Sequence, residues 1–138
     1  KRMLPNVPVK NLGYCSDAEL NDSFMGSKLL IYPSVSEGFG IPPVLAFRYK
    51  LPVLASPLSS ISEILSDAAV YCNPFDAGEI GARILRMLSC PELLSAQVAK
   101  GSDRYKVLKE KAFSDWRNFL VSEGVLRNPT ANEDCDTS

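Results

Sequence analysis

Short apolar runs rich in Val, Ile, Leu and Tyr alternate along this chain with segments whose apolar residues recur at helical spacing. That alternation is the pattern of β-α-β units, so the expected class is α/β with a parallel sheet and flanking helices. A first strand is expected around Val7 to Leu12, ending at Gly13. Ser16, with Glu19 three residues on, forms a capping box that opens a helix reaching about Met25. Lys28 to Tyr32 reads as a buried strand closed by Pro33, and the loop from Ser34 to Gly40 follows. Pro42 and Pro43 suit a helix's first turn, where amide hydrogens have no intrahelical partner, which predicts a helix from Ile41 to Tyr49.

Pro52 to Ala55 and Ala69 to Cys72 are the next two short strands. Between them Ser60-Ile61-Ser62-Glu63 repeats the capping-box pattern before a short helix. Asp76 is placed to cap a further helix, with Ile80, Ile84, Leu85 and Leu88 on its apolar face and Arg83 and Arg86 opposite. From Pro91 to about Val121 the pattern is helical, expected as two pieces broken near Gly101 and again around Phe113 and Ser114. One domain over residues 1–124 is therefore expected, followed by a polar, disordered tail over 125–138.

Composition narrows the partners. The 138 residues are 46% hydrophobic, enough for one packed core. Fifteen Lys and Arg against 16 Asp and Glu leave a net charge of -1, so no field gathers nucleic acid or an anionic membrane. Cys15, Cys72, Cys90 and Cys135 are far apart and there is no histidine, which argues against a zinc site and for a reducing, cytoplasmic setting. The N-terminal residues Lys1 and Arg2 are followed by no apolar run like a signal sequence, and none is long enough for a membrane span. The start at Lys1, without Met, suggests a chain trimmed from a longer one.

The richest chemistry lies between Tyr32 and Ser56, where a strand, a glycine-containing loop with one carboxylate, a helix and another strand follow in order. Gly38 and Gly40 allow the backbone to approach a ligand, and the loop delivers that ligand to a positive helix end where a phosphate could sit. Glu37, at the carboxyl end of a strand, can accept hydrogen bonds from paired hydroxyls such as those of a sugar. The plainer alternative is a solvated glutamate in a turn. Trp116, spaced with Phe113, Phe119 and Leu120, reads as packing, and Arg104, Lys106, Lys109 and Lys111 as a solvated helix face. Ser34, Ser36 and Ser56 have no histidine to activate them, so serine nucleophile chemistry is excluded.

This stretch, with E-G-F-G-I-P-P at Glu37 to Pro43 and P-V-L-A-S at Pro52 to Ser56, resembles the donor-binding half of the family 4 retaining glycosyltransferases. Upstream, L-G-Y-C-S-D-A-E-L from Leu12 resembles that family's L-G-Y-V-S-D-E-E-L. Downstream, Ser60 to Asp76 is similar to its S-x-P-E-V-x-G-D-A-A segment. The resemblance spans about Val9 to Pro91, more loosely to Phe119. It implies a Rossmann-like partial C-terminal domain of a GT-B enzyme, which uses a nucleotide-diphosphate sugar as donor substrate and needs neither another cofactor nor a metal. The implied partners are that donor and an N-terminal acceptor-binding domain of the same parent protein, with any peripheral membrane contact made through the missing domain.

Carried over by position, the resemblance makes Glu37 the catalytic residue, contacting hydroxyls of the transferred sugar. Amides of Gly38, Phe39, Gly40 and Ile41 would face the sugar and diphosphate, and the backbone of Gly13, Tyr14 and Cys15 would lie against the nucleobase. Two departures stand out. Leu45 occupies the place of the family's second glutamate, which holds the ribose, and Lys50 that of a helix-ending glycine, at little cost if a left-handed backbone is avoided. The basic residues that neutralise the diphosphate would also precede this chain, so the fragment alone is expected to be inactive. A noncatalytic module with a decayed donor site is the alternative, and a GT-B epimerase is disfavoured by the E-G-F-G-I-P-P motif.

Overall fold

The computed structural model describes residues 8–122, apart from the side chains of Trp116, Phe119 and Leu120. The expectations for Lys1, Arg2, Val7, Cys135, the tail and those three side chains lie outside the described residues. Three parallel strands, β1 (Leu30–Tyr32), β2 (Val53–Ala55) and β3 (Val70–Tyr71), lie in the order β1-β2-β3. Leu30 pairs with Val53 and Leu54 with Val70. The helices are α1 (Asp17–Gly26), α2 (Ile41–Arg48), α3 (Ile61–Leu65), α4 (Ala77–Ser89) and α5 (Pro91–Ser122), with a 3-10 turn at Ser66–Ala68 after α3.

Local chemistry explains several boundaries. The Ser16 hydroxyl accepts from the Glu19 amide at 3.3 Å while the Glu19 carboxylate accepts from the Ser16 amide at 2.8 Å, the reciprocal cap that starts α1. The Ser16 amide first, and the Ser16 hydroxyl at 2.9 Å second, hold the Glu19 carboxyl below its usual value. Asp76 caps α4 through the amides of Gly78 and Glu79. The middle strand is buried at all three positions, as a parallel strand covered on both faces must be.

Other expectations are corrected. Residues 8–12 form no strand. Pro8 offers no amide to a ladder, and Val9 and Leu12 stay 85% and 46% exposed. Among the described residues β1 pairs only with β2, so its other edge is open and Ile31 is exposed. On α4 the buried residue is Met87, with Ile80 and Ile84 beside it, whereas Leu85 and Leu88 face outward. Lys50 does adopt the left-handed backbone, with φ 57°. Its amide reaches the Phe47 carbonyl at 3.1 Å and that of Leu51 reaches Ala46 at 2.9 Å, the pair of bonds that closes a helix through a left-handed residue.

The predicted break at Gly101 is absent, and α5 runs unbroken for 32 residues, past Phe113 and Ser114 as well. Gly101 serves instead as a contact point. A Cβ there would stand 2.6 Å from Cδ1 of Phe47, a ring that is 2% exposed and has nowhere to move. Phe47, Ala46 and Leu51 from α2 and its cap join Val53, Ala55, Ile61 and Leu65 in the larger core cluster, onto which Tyr105 and Leu108 of α5 pack.

Thermal unfolding of three variants tests these backbone assignments. Gly101→Ala gains helix propensity but overpacks Phe47, so it should lower stability by about 1–3 kcal/mol. Gly81→Ala, in α4 with nothing within 4 Å of the added carbon, should raise it by up to about 1 kcal/mol. Lys50→Gly should likewise stabilise by about 1 kcal/mol by relieving the left-handed turn.

Candidate functional site

The site is built at the carboxyl end of β1, where an open parallel sheet leaves its crevice. Tyr32 ends the strand, and the chain then crosses to Gly40, which caps α2 in the left-handed conformation at φ 72° and ψ 54°. A Cβ on Gly40 would meet only Ile61 Cγ1 at 3.9 Å, so the backbone angle and not space requires glycine there. A Cβ on Gly38 would point into open space, which leaves room for a ligand against that stretch of backbone.

Glu37 is partly exposed and its carboxylate is held from two sides. The Ser34 hydroxyl donates to Oε1 at 2.9 Å, and the Tyr32 hydroxyl acts on the carboxylate from the strand end. Tyr32 first and Ser34 second hold the Glu37 carboxyl below the usual carboxylate value, outweighing a small opposing effect of burial. Burial, followed by the hydrogen bond and charge of Glu37, pushes the Tyr32 hydroxyl up to about 12. At neutral pH the pair is therefore an ionised acceptor and a protonated donor.

A second set of hydroxyls grips the loop backbone. Ser60 Oγ lies 3.0 Å from the Glu37 carbonyl oxygen and 2.8 Å from that of Gly38, and Ser59 Oγ lies 2.9 Å from the Glu37 carbonyl. Ser56, fully buried at the end of β2, donates a short hydrogen bond to the Ser34 carbonyl. Ser60 precedes α3 as expected, but its side chain caps nothing in that helix. The capping-box reading of Ser60 to Glu63 is thus corrected, because the hydroxyl is used across the fold instead of along the chain. Tyr32, Ser34, Ser56, Ser59 and Ser60 were not singled out as site residues in sequence. The clustering of serines on both sides of the E-G-F-G loop is the signal that could have found them.

Phe39 and Ile41 are exposed beside the loop. Phe39 and Ser60 line a cavity of about 440 Å³ with Glu63, Arg104, Lys111 and Asp115. Arg104 departs from the solvated helix face expected of it, since its guanidinium donates to the carbonyls of Ile64 at 2.7 Å and Glu63 at 2.9 Å. Lys106 of the same group pairs with Asp103 at 2.9 Å. Leu45 packs partly buried against the larger core cluster and offers no acceptor.

Gly13, Tyr14 and Cys15 precede α1, which leads back to β1 as α2 leads back to β2, so topology sets both loops on the same edge of the sheet. Gly13 has φ 60°, and its amide is committed to Asn11 Oδ1 at 3.0 Å. Tyr14 is fully exposed and Cys15 half-buried. Among the described residues no group of three His, Cys, Asp or Glu could hold a metal ion, and no helix is long and apolar enough to cross a membrane.

Comparison with known proteins gives this geometry its family. The profile described as Glycosyl transferases group 1 matches residues 3–104. The O-antigen chain mannosyltransferase B of Escherichia coli is 32% identical over 110 residues, 80% of this chain and 27% of that protein. The serotype-specific mannosyltransferase WbdA of Escherichia coli is 34% identical over 126 residues, 90% of this chain and 15% of that protein. The chain thus spans about a quarter or less of the length of these relatives. Sucrose-phosphate synthase from Thermosynechococcus elongatus superposes with a TM-score of 0.66 over 80% of this chain and 30% of its own, at 19% identity, and shares the fold. With a parallel α/β architecture of the GT-B type and a profile match over most of its length, the chain belongs to the group 1 glycosyltransferases.

Proposed function

We propose that this chain is the donor-binding part of a retaining glycosyltransferase, which moves a sugar from a nucleotide-diphosphate donor onto a saccharide or lipid-linked acceptor. The named activities of the relatives favour mannose as the transferred sugar. The observation that carries the reading is the Glu37 carboxylate, held by Ser34 and Tyr32 below its usual value at the mouth of a loop whose glycine backbone is open to a ligand. An ionised carboxylate there can accept two sugar hydroxyls and favour the positive charge that develops at the anomeric carbon as the bond to phosphate breaks. Amides of Gly38, Phe39, Gly40 and Ile41 would receive the diphosphate, and the Gly13 to Cys15 loop the base. The second domain, with the acceptor site and the basic residues opposite the phosphates, belongs to the rest of the parent protein, and this chain alone would not turn over.

Leu45 supports the competing reading of a noncatalytic module. Its side chain packs against the core and cannot hold a ribose, and each hydrogen bond lost to a carboxylate weakens donor binding by about 1.5 to 3 kcal/mol. The two readings separate at Glu37. In the full-length parent, Glu37→Gln keeps the shape and removes the charge, so turnover at saturating donor should fall by at least about a hundredfold with little change in stability. Unchanged turnover would favour the noncatalytic module.

Tyr32→Phe makes a subtler change. It removes the first of the two hydroxyls that hold the Glu37 carboxyl low, so the folded value should rise toward the ordinary carboxylate range. Glu37 then takes up its proton at higher pH, and the acidic limb of the parent's activity profile should move up while the rate at neutral pH changes less. A limb that stays in place would dissociate Tyr32 from the ionisation of Glu37.

A further inference from the structure

The donors available to an anion at the start of α2 are fewer than at an ordinary helix end. Pro42 and Pro43 occupy its second and third positions and carry no amide hydrogen, so the peptide units of the preceding loop must supply most of the contact. Which way those units face is then decisive. No peptide bond among the described residues is cis, and in a trans unit the C=O and the following N–H point in opposite directions. Fixing the carbonyl of Glu37 therefore fixes the N–H of Gly38, and fixing the carbonyl of Gly38 fixes the N–H of Phe39.

Both carbonyls are held. Ser60 shares its one hydroxyl proton between them at 3.0 and 2.8 Å, and Ser59 adds a bond to the first at 2.9 Å. Ser59 reaches it from a left-handed backbone with φ 59°, a conformation that costs a residue with a Cβ about 1 kcal/mol or more. The serines stand on a fixed support. α3 has only five residues, but Arg104 takes the carbonyls of Ile64 and Glu63 at its end, and Lys100 pairs with Asp67 at 2.9 Å just beyond.

We propose that Ser60, assisted by Ser59, is a positioning residue that turns the Glu37 and Gly38 carbonyls toward α3 and so aims the Gly38 and Phe39 amides outward as the anion-binding donors for a diphosphate. The inference rests on the donor-site reading above and gives it a mechanism. With the Ser60 hydroxyl gone the Gly38–Phe39 peptide unit is free to flip, which would set a carbonyl oxygen against phosphate where an amide should be, whereas loss of the Ser59 hydroxyl leaves the Glu37 carbonyl on the shared Ser60 proton alone. Neither serine touches substrate. Their effect is on the part of the ligand that carries the negative charge, not on the base or ribose.

Calorimetric titration of the full-length parent protein with GDP, UDP and ADP, and with the corresponding nucleosides, tests this. For the diphosphate that the wild type binds, Ser60→Ala should weaken affinity about tenfold, the scale of one lost charge-assisted hydrogen bond, and leave the nucleoside's affinity unchanged. Ser60→Thr retains the hydroxyl and should restore binding. Ser59→Gly suits the left-handed backbone and should keep or raise the melting temperature while weakening the diphosphate. Equal diphosphate affinity in wild type, Ser60→Ala and Ser59→Gly would overturn the proposal and leave the donor-site reading standing. So would a parallel loss for diphosphate and nucleoside, which would mark a merely structural serine. A wild type that binds none of the three diphosphates would overturn the donor-site reading and the proposal with it.

Discussion

The contact on which the rest of the site depends is the close approach of α5 to α2 at Gly101 and Phe47. A glycine is needed there because a Cβ would stand 2.6 Å from the Phe47 ring, inside any tolerated separation. The contact seats a 32-residue helix against the core, and one turn further on it presents Arg104 to the end of α3. α3 in turn presents Ser60 to the Glu37 loop. Packing at one crossing is thereby passed through Arg104 and Ser60 to the backbone carbonyls of Glu37 and Gly38, the last two links being hydrogen bonds. A five-residue helix has little stability of its own, and it holds its place here because it is clamped from both ends.

The chemistry that this frame supports is electrostatic. One carboxylate is held below its usual value by the hydroxyls beside it, and two loop carbonyls next to it are fixed by Ser60. Such an arrangement stabilises charge without moving when the charge appears, which is the economical way to assist departure of a phosphate from a sugar. On the proposed reading, the aliphatic Leu45, where the resemblance implies a second carboxylate, would leave more of the work of holding a donor to phosphate and sugar contacts, and so to the loop's orientation.

Much of the fold was legible because its signals are local. The capping pair Ser16 and Glu19, the Asp76 cap and the alternation of short apolar runs with helical spacing concern residues within a few positions of one another, and the structure contains α1, α4 and three parallel strands where they point. What was misread depends on distant partners. Gly101 looks like a helix break until Phe47, far off in sequence, is set against it. Ser60 has the spacing of a helix cap, but a hydroxyl has one proton, and the Glu37 loop takes it. Val9 and Leu12 have a strand's composition, yet residues 8–12 do not pair with the open edge of β1. The place of Glu37 was visible in the glycine motif, whereas its tyrosine and serine partners were not, since hydroxyl direction leaves no periodicity in a sequence.

The central claim is that the Glu37 loop is a preset receptor for the sugar and diphosphate of a nucleotide donor. A crystal structure of the full-length parent protein with an intact nucleotide sugar tests it most directly. The account predicts Glu37 oxygens within hydrogen-bonding distance of sugar hydroxyls, the Gly38 and Phe39 amides facing the diphosphate, and the Glu37 and Gly38 carbonyls still on Ser60. A donor bound away from this loop, or a loop whose carbonyls turn toward the phosphates, would contradict it.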